Sequence, residues 1–307
     1  MKKKILLTGG GGAGNEAIWR ILSDKYDLYF ADCEIDNIDK MIPVEKRVRI
    51  PSASDANFIP RLIKVCRDIG LDFLVPSVDE ELLLISKNSS LFPCDIFLPN
   101  TSFIETMIDK YVSMTSIRAQ GLVAPETYHA DEWERLKFPM IIKPTSGRGS
   151  RGVMVLKAKN ELGAYKIFNP VPDKNLIVQK LIEGQEFTVF VSANKDGDLN
   201  CVIPVNVEQK RGVTISAVTE KNISIIDYVR SFHKKFNTSC IYNLQCILTS
   251  KNEVFPFEIN PRVSTTFCMA LAAGFDPFKS LGSKSQGLFY FDNNVRLKRN
   301  WKNNIST

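Results

Sequence analysis

Phe255-Pro256-Phe257-Glu258-Ile259-Asn260-Pro261-Arg262 places an acid, an amide and a guanidinium at alternate positions on an extended backbone. Side chains two apart on a strand share a face, so Glu258 and Asn260 point one way. Phe255, Phe257 and Ile259 are expected to point the other way, into a core. A carboxylate beside an amide oxygen is a hard oxygen site suited to Mg²⁺. An arginine just beyond it can grip a phosphate or a planar carboxylate with two parallel hydrogen bonds. The stretch reads as one wall of a metal–nucleotide site.

The preceding run, Tyr242-Asn243-Leu244-Gln245-Cys246-Ile247-Leu248, alternates too, and Ser250-Lys251-Asn252-Glu253 has the composition of a tight turn. With Lys251-Asn252 as a two-residue loop, Ser250 faces Glu253 and Gln245 falls opposite Glu258. Opposed residues share a face, which sets a second oxygen beside the first. A slip of one residue turns Gln245 away, and an ordinary hairpin with polar residues in water accounts for the same pattern.

The chain has 307 residues, room for about two domains. Its 40 basic and 34 acidic residues leave a net charge of +6. That excess is spread out, with Lys2-Lys3-Lys4 and Arg296-Leu297-Lys298-Arg299 as solvated clusters, so no nucleic-acid partner is expected. Seven cysteines, widely spaced and without Cys-x-x-Cys, argue against a disulfide framework or a structural zinc site. The two histidines, His129 and His233, read as surface residues. The apolar start Ile5-Leu6-Leu7 stops at Thr8, too short for a secretory core. No run approaches the roughly 20 apolar residues of a membrane span. A reducing cytoplasm is the consistent compartment.

Strands at 4–8, 27–32, 47–51 and 73–77 alternate with helices at 15–25 and 55–69, which implies a parallel α/β domain over residues 1–98. A helix is expected at 101–120. From Phe138 the pattern turns α+β, with helices at 223–236 and 265–273, the latter closed by Gly274. The tail at 291–307, with Trp301, reads as a last strand or an oligomer contact.

Two glycine loops stand out. Gly9-Gly10-Gly11-Gly12-Ala13-Gly14 contains Gly-x-Gly-x-x-Gly, follows a strand and opens a helix, and Asp32 ends the next strand. That suits either an NAD(P)-dependent reductase or epimerase, or a tight turn with no ligand. No Tyr-x-x-x-Lys pair accompanies it. The second loop, Ser146-Gly147-Arg148-Gly149-Ser150-Arg151-Gly152, follows Phe138-Pro139-Met140-Ile141-Ile142-Lys143-Pro144. A strand ending in lysine before a flexible basic loop suits polyphosphate, and a mobile hairpin loop is the plain alternative.

Together these residues resemble the ATP-grasp superfamily over about residues 1–285. The likeness is strongest to the synthetase halves of carbamoyl-phosphate synthase large subunits and to short stand-alone proteins of that type. The resemblance implies a Rossmann-like pre-grasp domain at 1–98 and an ATP-grasp domain at 99–290, with a mobile lid at about 125–183. It also implies ATP with Mg²⁺, or Mn²⁺ in its place. Lys110 and Lys143 match the phosphate-binding lysines, and Ser146, Gly147, Gly149, Ser150 and Gly152 match the lid loop. Gln179, Lys180, Leu181 and Ile182 match the hinge at adenine, and Glu186 the ribose-binding acid. Gln245, Glu258 and Asn260 match the metal positions, and Arg262, with Lys143, the catalytic pair at the transferred phosphoryl group. Many members carry an acid where Gln245 stands, which puts the number of bound ions in question. Ser77, Asp79, Glu80, Arg211 and Thr214 are candidate contacts to a small-molecule acid or amine. The expected function is an ATP-dependent ligase that activates a carboxylate, bicarbonate or an amino acid, as an acyl phosphate for an amine. Alternatives are a kinase-like relative and a non-catalytic ATP-binding module. Two identical chains can in principle pair as a homodimer.

Overall fold

The computed structural model describes residues 1–147, 149–282 and 287–300, and three sheets organise them. The first is parallel, with β1 (Lys4–Thr8), β2 (Asp27–Asp32), β3 (Arg47–Arg49), β4 (Phe73–Val75) and β5 (Asp95–Ile96) in the order β3-β2-β1-β4-β5. The connecting helices are α1 (Asn15–Leu22), α2 (Phe58–Ile69) and α3 (Asp79–Lys87). Ile5, Leu6 and Leu7 are all buried, as a strand covered on both faces requires. The chain runs from β1 through β2 to β3, then returns to β4 and continues the other way. That reversal leaves a crevice at the carboxyl ends of β1 and β4, the usual place for a ligand in such sheets.

The helix expected at 101–120 is two helices, α4 (Thr101–Met107) and α5 (Lys110–Ala119). Asp109 divides them, because its carboxylate accepts from the amides of Tyr111 and Val112 at 2.8 and 2.9 Å and so caps α5. Lys110 thereby becomes the first residue of α5.

The second sheet holds β6 (Thr127–His129), β7 (Met140–Pro144), β8 (Met154–Leu156) and β9 (Leu176–Lys180) in the order β6-β9-β7-β8, with α6 (Lys159–Phe168) against it. It has its own core, in which Leu136, Met140, Ile142, Leu162 and Val178 meet. The third sheet is antiparallel, with β10 (Gln185–Ala193), β11 (Leu199–Arg211), β12 (Val213–Thr219), β13 (Cys240–Leu248), β14 (Val254–Asn260) and β15 (Arg296–Lys298). Its order is β14-β13-β10-β11-β12-β15. Helices α7 (Ile223–Lys235), α8 (Phe267–Ala272) and α9 (Pro277–Ser280) complete it. The tail thus does contribute a last strand, and Trp301 lies outside the described residues.

Two surface expectations need correction. His233 is buried, with Nε2 2.8 Å from the Gly197 carbonyl and Nδ1 3.3 Å from the Tyr242 hydroxyl. It lies one helical turn after Val229, on the face of α7 that enters the core. Arg299 is no solvated terminus either, since its guanidinium donates to the carbonyls of Thr214 (2.8 Å) and Thr265 (2.6 Å).

The first and third sheets share one core, where Ile5, Leu7 and Phe30 join Phe190, Ile203 and Phe267. Tyr26 donates its hydroxyl hydrogen to Asp276 at 2.9 Å. Gly14, at φ 111°, lets α1 approach the loop before α8, where a Cβ would stand 2.6 Å from the Thr265 carbonyl oxygen. This docking turns the crevice of the first sheet toward β13 and β14. Among the described residues no helix is long and apolar enough to cross a membrane.

Candidate active site

Gln245 does face Glu258, but two departures from the expected hairpin cancel to put it there. The loop has three residues, closed by the Thr249 amide on the Glu253 carbonyl (3.0 Å), with Asn252 left-handed at φ 60°. Leu248, Ile247 and Cys246 therefore face Val254, Phe255 and Pro256, one step off the expected pairing. A β-bulge at Phe257 then restores the register, so that Gln245 faces Glu258 and Asn243 faces Asn260. The bulge also changes which way the aromatics point. Ile259 enters the core as expected. Phe255 and Phe257 are only partly buried and line a cavity on the Glu258 side.

Cations gather on this face. Lys110 Nζ lies 3.4 Å from Glu258 Oε1 and donates to the Gly147 carbonyl at 2.9 Å. Lys143 is 4% exposed and donates to Gln179 Oε1 (3.0 Å) and the Phe257 carbonyl (3.1 Å). Its pKa is pushed down to about 7 by burial; Glu258 opposes the shift, and Lys110 and Lys210 add to it. Lys210 Nζ lies 2.6 Å from Glu186 and 3.3 Å from Gln245 Oε1. Arg262 donates through Nε to Asp79 and stands 3.4 Å from Asn260 Oδ1.

Two cavities meet at these groups. One, of about 290 Å³, is an apolar slot between Ile141, Ile247, Phe255 and Phe257, edged by Leu181, Ile182 and the loop at Ser146 and Gly147. The other, of about 930 Å³, runs from the Gly9–Asn15 loop and Ser77 to Asn260 and Arg262. Glu258, Lys210, Ser150 and Arg151 line both. The glycines of the loop between β7 and β8 have φ of 122° (Gly147) and 68° (Gly149 and Gly152). A side chain at those angles is strained, so the sharp turn over the junction depends on glycine. Arg148 lies outside the described residues.

Residues 107–266, just over half of the chain, match the model of the ATP-grasp domain. The chain belongs to the ATP-grasp family. It is 27% identical over 190 residues to D-alanine–D-alanine ligase A of Bacillus cereus, covering 59% of this chain and 56% of that protein. It is 28% identical over 165 residues to the carbamoyl phosphate synthase large chain of Lachnoclostridium phytofermentans, covering 49% of this chain and 15% of that one. Among solved structures, a biotin carboxylase–β-γ-ATP complex from Campylobacter jejuni superposes with a TM-score of 0.72 at 13% identity. The match covers 96% of this chain and 74% of that one. The biotin carboxylase domain dimer of the Hydrogenobacter thermophilus 2-oxoglutarate carboxylase, with MgADP and bicarbonate, gives 0.68 at 16% identity, covering 92% and 69%. These structural likenesses show the ATP-grasp fold.

In this ATP-grasp chain Lys110, Lys143, Ser146, Gly147, Ser150, Gln179, Lys180, Leu181, Ile182 and Glu186, among the positions expected at the nucleotide, all line the slot. Gly149 lines the larger cavity. Gly152 turns instead against Pro144, and its carbonyl accepts from the Tyr165 hydroxyl at 2.6 Å. Gln179 is buried, spanning Lys143 and the Thr127 hydroxyl, so its side chain braces the lysine. Glu186 is no lone acid, being paired with Lys210. Gln245, Glu258 and Asn260 present three oxygens on one face, one of them anionic. That set fits a hard divalent ion whose other positions are phosphate oxygens and water. Among the described residues no three His, Cys, Asp or Glu side chains form a metal cage.

The acceptor candidates divide. Ser77, Glu80 and Thr214 line the larger cavity. Asp79 is committed to Arg262, and Arg211 is exposed and outside the cavity lining. Three amides of the first glycine loop are spent internally: Gly10 on the Ala31 carbonyl, Gly12 on the Gly9 carbonyl and Gly11 on Asp32 Oδ2, each at 2.8 Å. Asp32 thus braces the loop, which accords with the tight-turn reading. Two residues escaped the sequence reading. Lys210 was hidden because register shifts on both sides of Gln209 break the strand alternation that selects Arg211. Glu81 is buried under the Arg262 end and accepts from Thr8 and from the amides of Ser77 (2.9 Å) and Val78 (3.0 Å). Burial raises its pKa to about 7.

Proposed function

We propose that this protein is an ATP-dependent ligase that activates a carboxylic acid as an acyl phosphate and passes it to an amine. The observation that carries this reading is the gathering of Lys110, Lys143 and Lys210 around Glu258, where the apolar slot meets the larger cavity, with Arg262 further along that cavity. The slot suits a purine, and the hinge at Lys180 to Ile182 offers it backbone groups. Three cations at the junction and Arg262 beyond them suit a triphosphate. The acid would lie in the larger cavity, against Arg262.

A carboxylate is a poor electrophile, because an amine attacking it must expel oxide. Attack of a carboxylate oxygen on the γ-phosphorus breaks the β–γ bridging bond and releases ADP. The amine nitrogen then attacks the acyl carbon, inorganic phosphate departs with the bonding electrons, and the amine proton passes to solvent. Little acid–base chemistry is asked of the protein, and positioning and charge neutralisation dominate. Lys110, Lys143 and Arg262 would offset charge developing on the transferred group. Mg²⁺ bound with ATP would neutralise and align the β- and γ-phosphates, and Glu258 and Asn260 are the residues to hold it, with Gln245 beside them; Mn²⁺ accepts the same oxygens. The separate core of the second sheet supports reading residues 125–183 as a lid that excludes water from the intermediate.

The finer reading as a carbamoyl-phosphate synthase-like enzyme draws support from its relatives. The larger cavity, about 930 Å³, exceeds what bicarbonate needs and favours an amino acid. A homodimer in a reducing cytoplasm is consistent with the free thiols and with the dimer of one structural neighbour. The test is ADP release with Mg²⁺ across pairs of amino acids and amines. Turnover should fall at least 100-fold in Glu258→Ala and Arg262→Ala. ADP release with a stable phosphorylated acid and no need for amine would favour the kinase reading. ATP binding without ADP release would favour the binding module.

A further inference from the structure

The number of divalent ions that accompany the nucleotide is written in the surroundings of Gln245. Its carboxamide oxygen carries no charge and already has an ammonium beside it, Lys210 Nζ at 3.3 Å. Lys210 is anchored there by the ion pair with Glu186 at 2.6 Å, and both side chains are about three-quarters buried. The backbone also aims it. Register shifts on either side of Gln209 rotate the end of β11, so that Lys210 reaches across β10 toward β13. The Phe257 ring lies 5.7 Å from its ammonium, which adds a favourable face beneath it.

Glu258, with Asn260 two residues on, differs from Gln245 in charge and not in its distance from a cation. Lys110 approaches Glu258 only at 3.4 Å and makes its shorter bond to the Gly147 carbonyl. Arg262 approaches Asn260 at 3.4 Å and is held by Asp79. All three cations, Lys210 included, have a shorter contact elsewhere, so the distinction lies in the ligand: Glu258 brings a carboxylate that can hold a divalent ion against a neighbouring ammonium, and the Gln245 amide does not. A divalent ion on Gln245 would instead sit against a fixed positive charge, with a neutral ligand to hold it.

Resting on the nucleotide site proposed above, we propose that Lys210 stands as a resident cation in place of a second divalent ion. The chain then takes one metal ion per nucleotide, on Glu258 and Asn260. Four cations and one divalent ion offset Glu258, Glu186, Asp79 and a fully ionised triphosphate to within one negative charge, and a second divalent ion would carry the site past neutrality to a net positive charge.

Counting bound Mn²⁺ tests this without relying on turnover. The protein is titrated with Mn²⁺ in the presence of β,γ-imido-ATP, with free Mn²⁺ read by electron paramagnetic resonance and bound analogue by equilibrium dialysis. The wild type should saturate at one Mn²⁺ per chain. The double variant Lys210→Ala/Gln245→Glu should take a second ion at least tenfold more tightly than the wild type does. Its spectrum should broaden as for two ions about 3.5–4 Å apart. Two ions of similar affinity on the wild type would overturn the proposal while leaving the nucleotide reading intact. A double variant that binds the analogue but only one ion would overturn the assignment to Lys210. If the double variant does not fold, the wild-type count decides. Failure of the wild type to bind the analogue would overturn the nucleotide reading and this inference together.

Discussion

Nucleotide binding should draw a proton from solution, and Lys143 sets how much. Its ammonium is buried and held near a pKa of about 7, while an ordinary lysine stands at 10.5. A triphosphate beside it favours the charged form and restores the higher value. At pH 8 only about a tenth of the side chain is charged beforehand, so binding takes up about 0.9 proton; at pH 6 the uptake falls to about 0.1. Phosphate groups are largely ionised at pH 8, which keeps their own titration out of the measurement. The assay is calorimetric titration of β,γ-imido-ATP with Mg²⁺ in two buffers of very different ionisation enthalpy, where the slope counts protons. Lys143→Met should abolish the uptake at pH 8. A slope near zero at pH 8 in the wild type, or the same slope at both pH values, would refute the reasoning. The same burial has a sign in stability. A lysine with a depressed folded pKa binds fewer protons than the unfolded chain between about 7 and 10.5, so its penalty is full below pH 7 and fades as pH rises through that window.

Other perturbations test other parts of the argument. Glu81→Gln removes a buried charge yet keeps an oxygen for Thr8, Ser77 and Val78. The raised carboxyl pKa, about 7 against 4.5, means that stability present below pH 4.5 is lost as pH rises through 7. The variant should therefore melt a few degrees above wild type at pH 8 and close to it at pH 5, by thermal shift; a lower melting point at pH 8 would count against that account. Gly14→Ala combines φ 111° with a Cβ placed 2.6 Å from the Thr265 oxygen. It should cost about 2–4 kcal/mol in denaturant unfolding, and a change under 0.5 kcal/mol would contradict the close approach of α1. Phe257→Ala removes a slot wall and the face under two ammonium groups, at 5.5 and 5.7 Å. Nucleotide affinity should weaken about tenfold, about 1.4 kcal/mol, with an unchanged dissociation constant as the adverse result.

Much of the site was legible because its chemistry rests on local spacing. Glu258 and Asn260 alternate on one strand, and strand geometry alone sets them on one face. Lys143 ends a strand before a glycine loop, and both features survive whatever packs around them. The parallel first sheet followed from continuous apolar runs between helices. The helix at 101–120 was misread because capping by Asp109 is a matter of side-chain direction, and His233 because its basic neighbours hid a core position on the inner face of α7.

What the chain determined by itself was the inventory: the lysines, the paired oxygens, the glycine loops and the sheet that carries them. What only the tertiary structure decided was alignment. The bulge at Phe257 cancels the longer turn and brings Gln245 to Glu258. The shifts at Gln209 send Lys210 to Gln245 and Glu186. The docking of α1 on the loop before α8 brings Asp79 to Arg262, 183 residues apart. Bulges and docking depend on how neighbouring strands and helices fill space, and no periodicity along one strand records that.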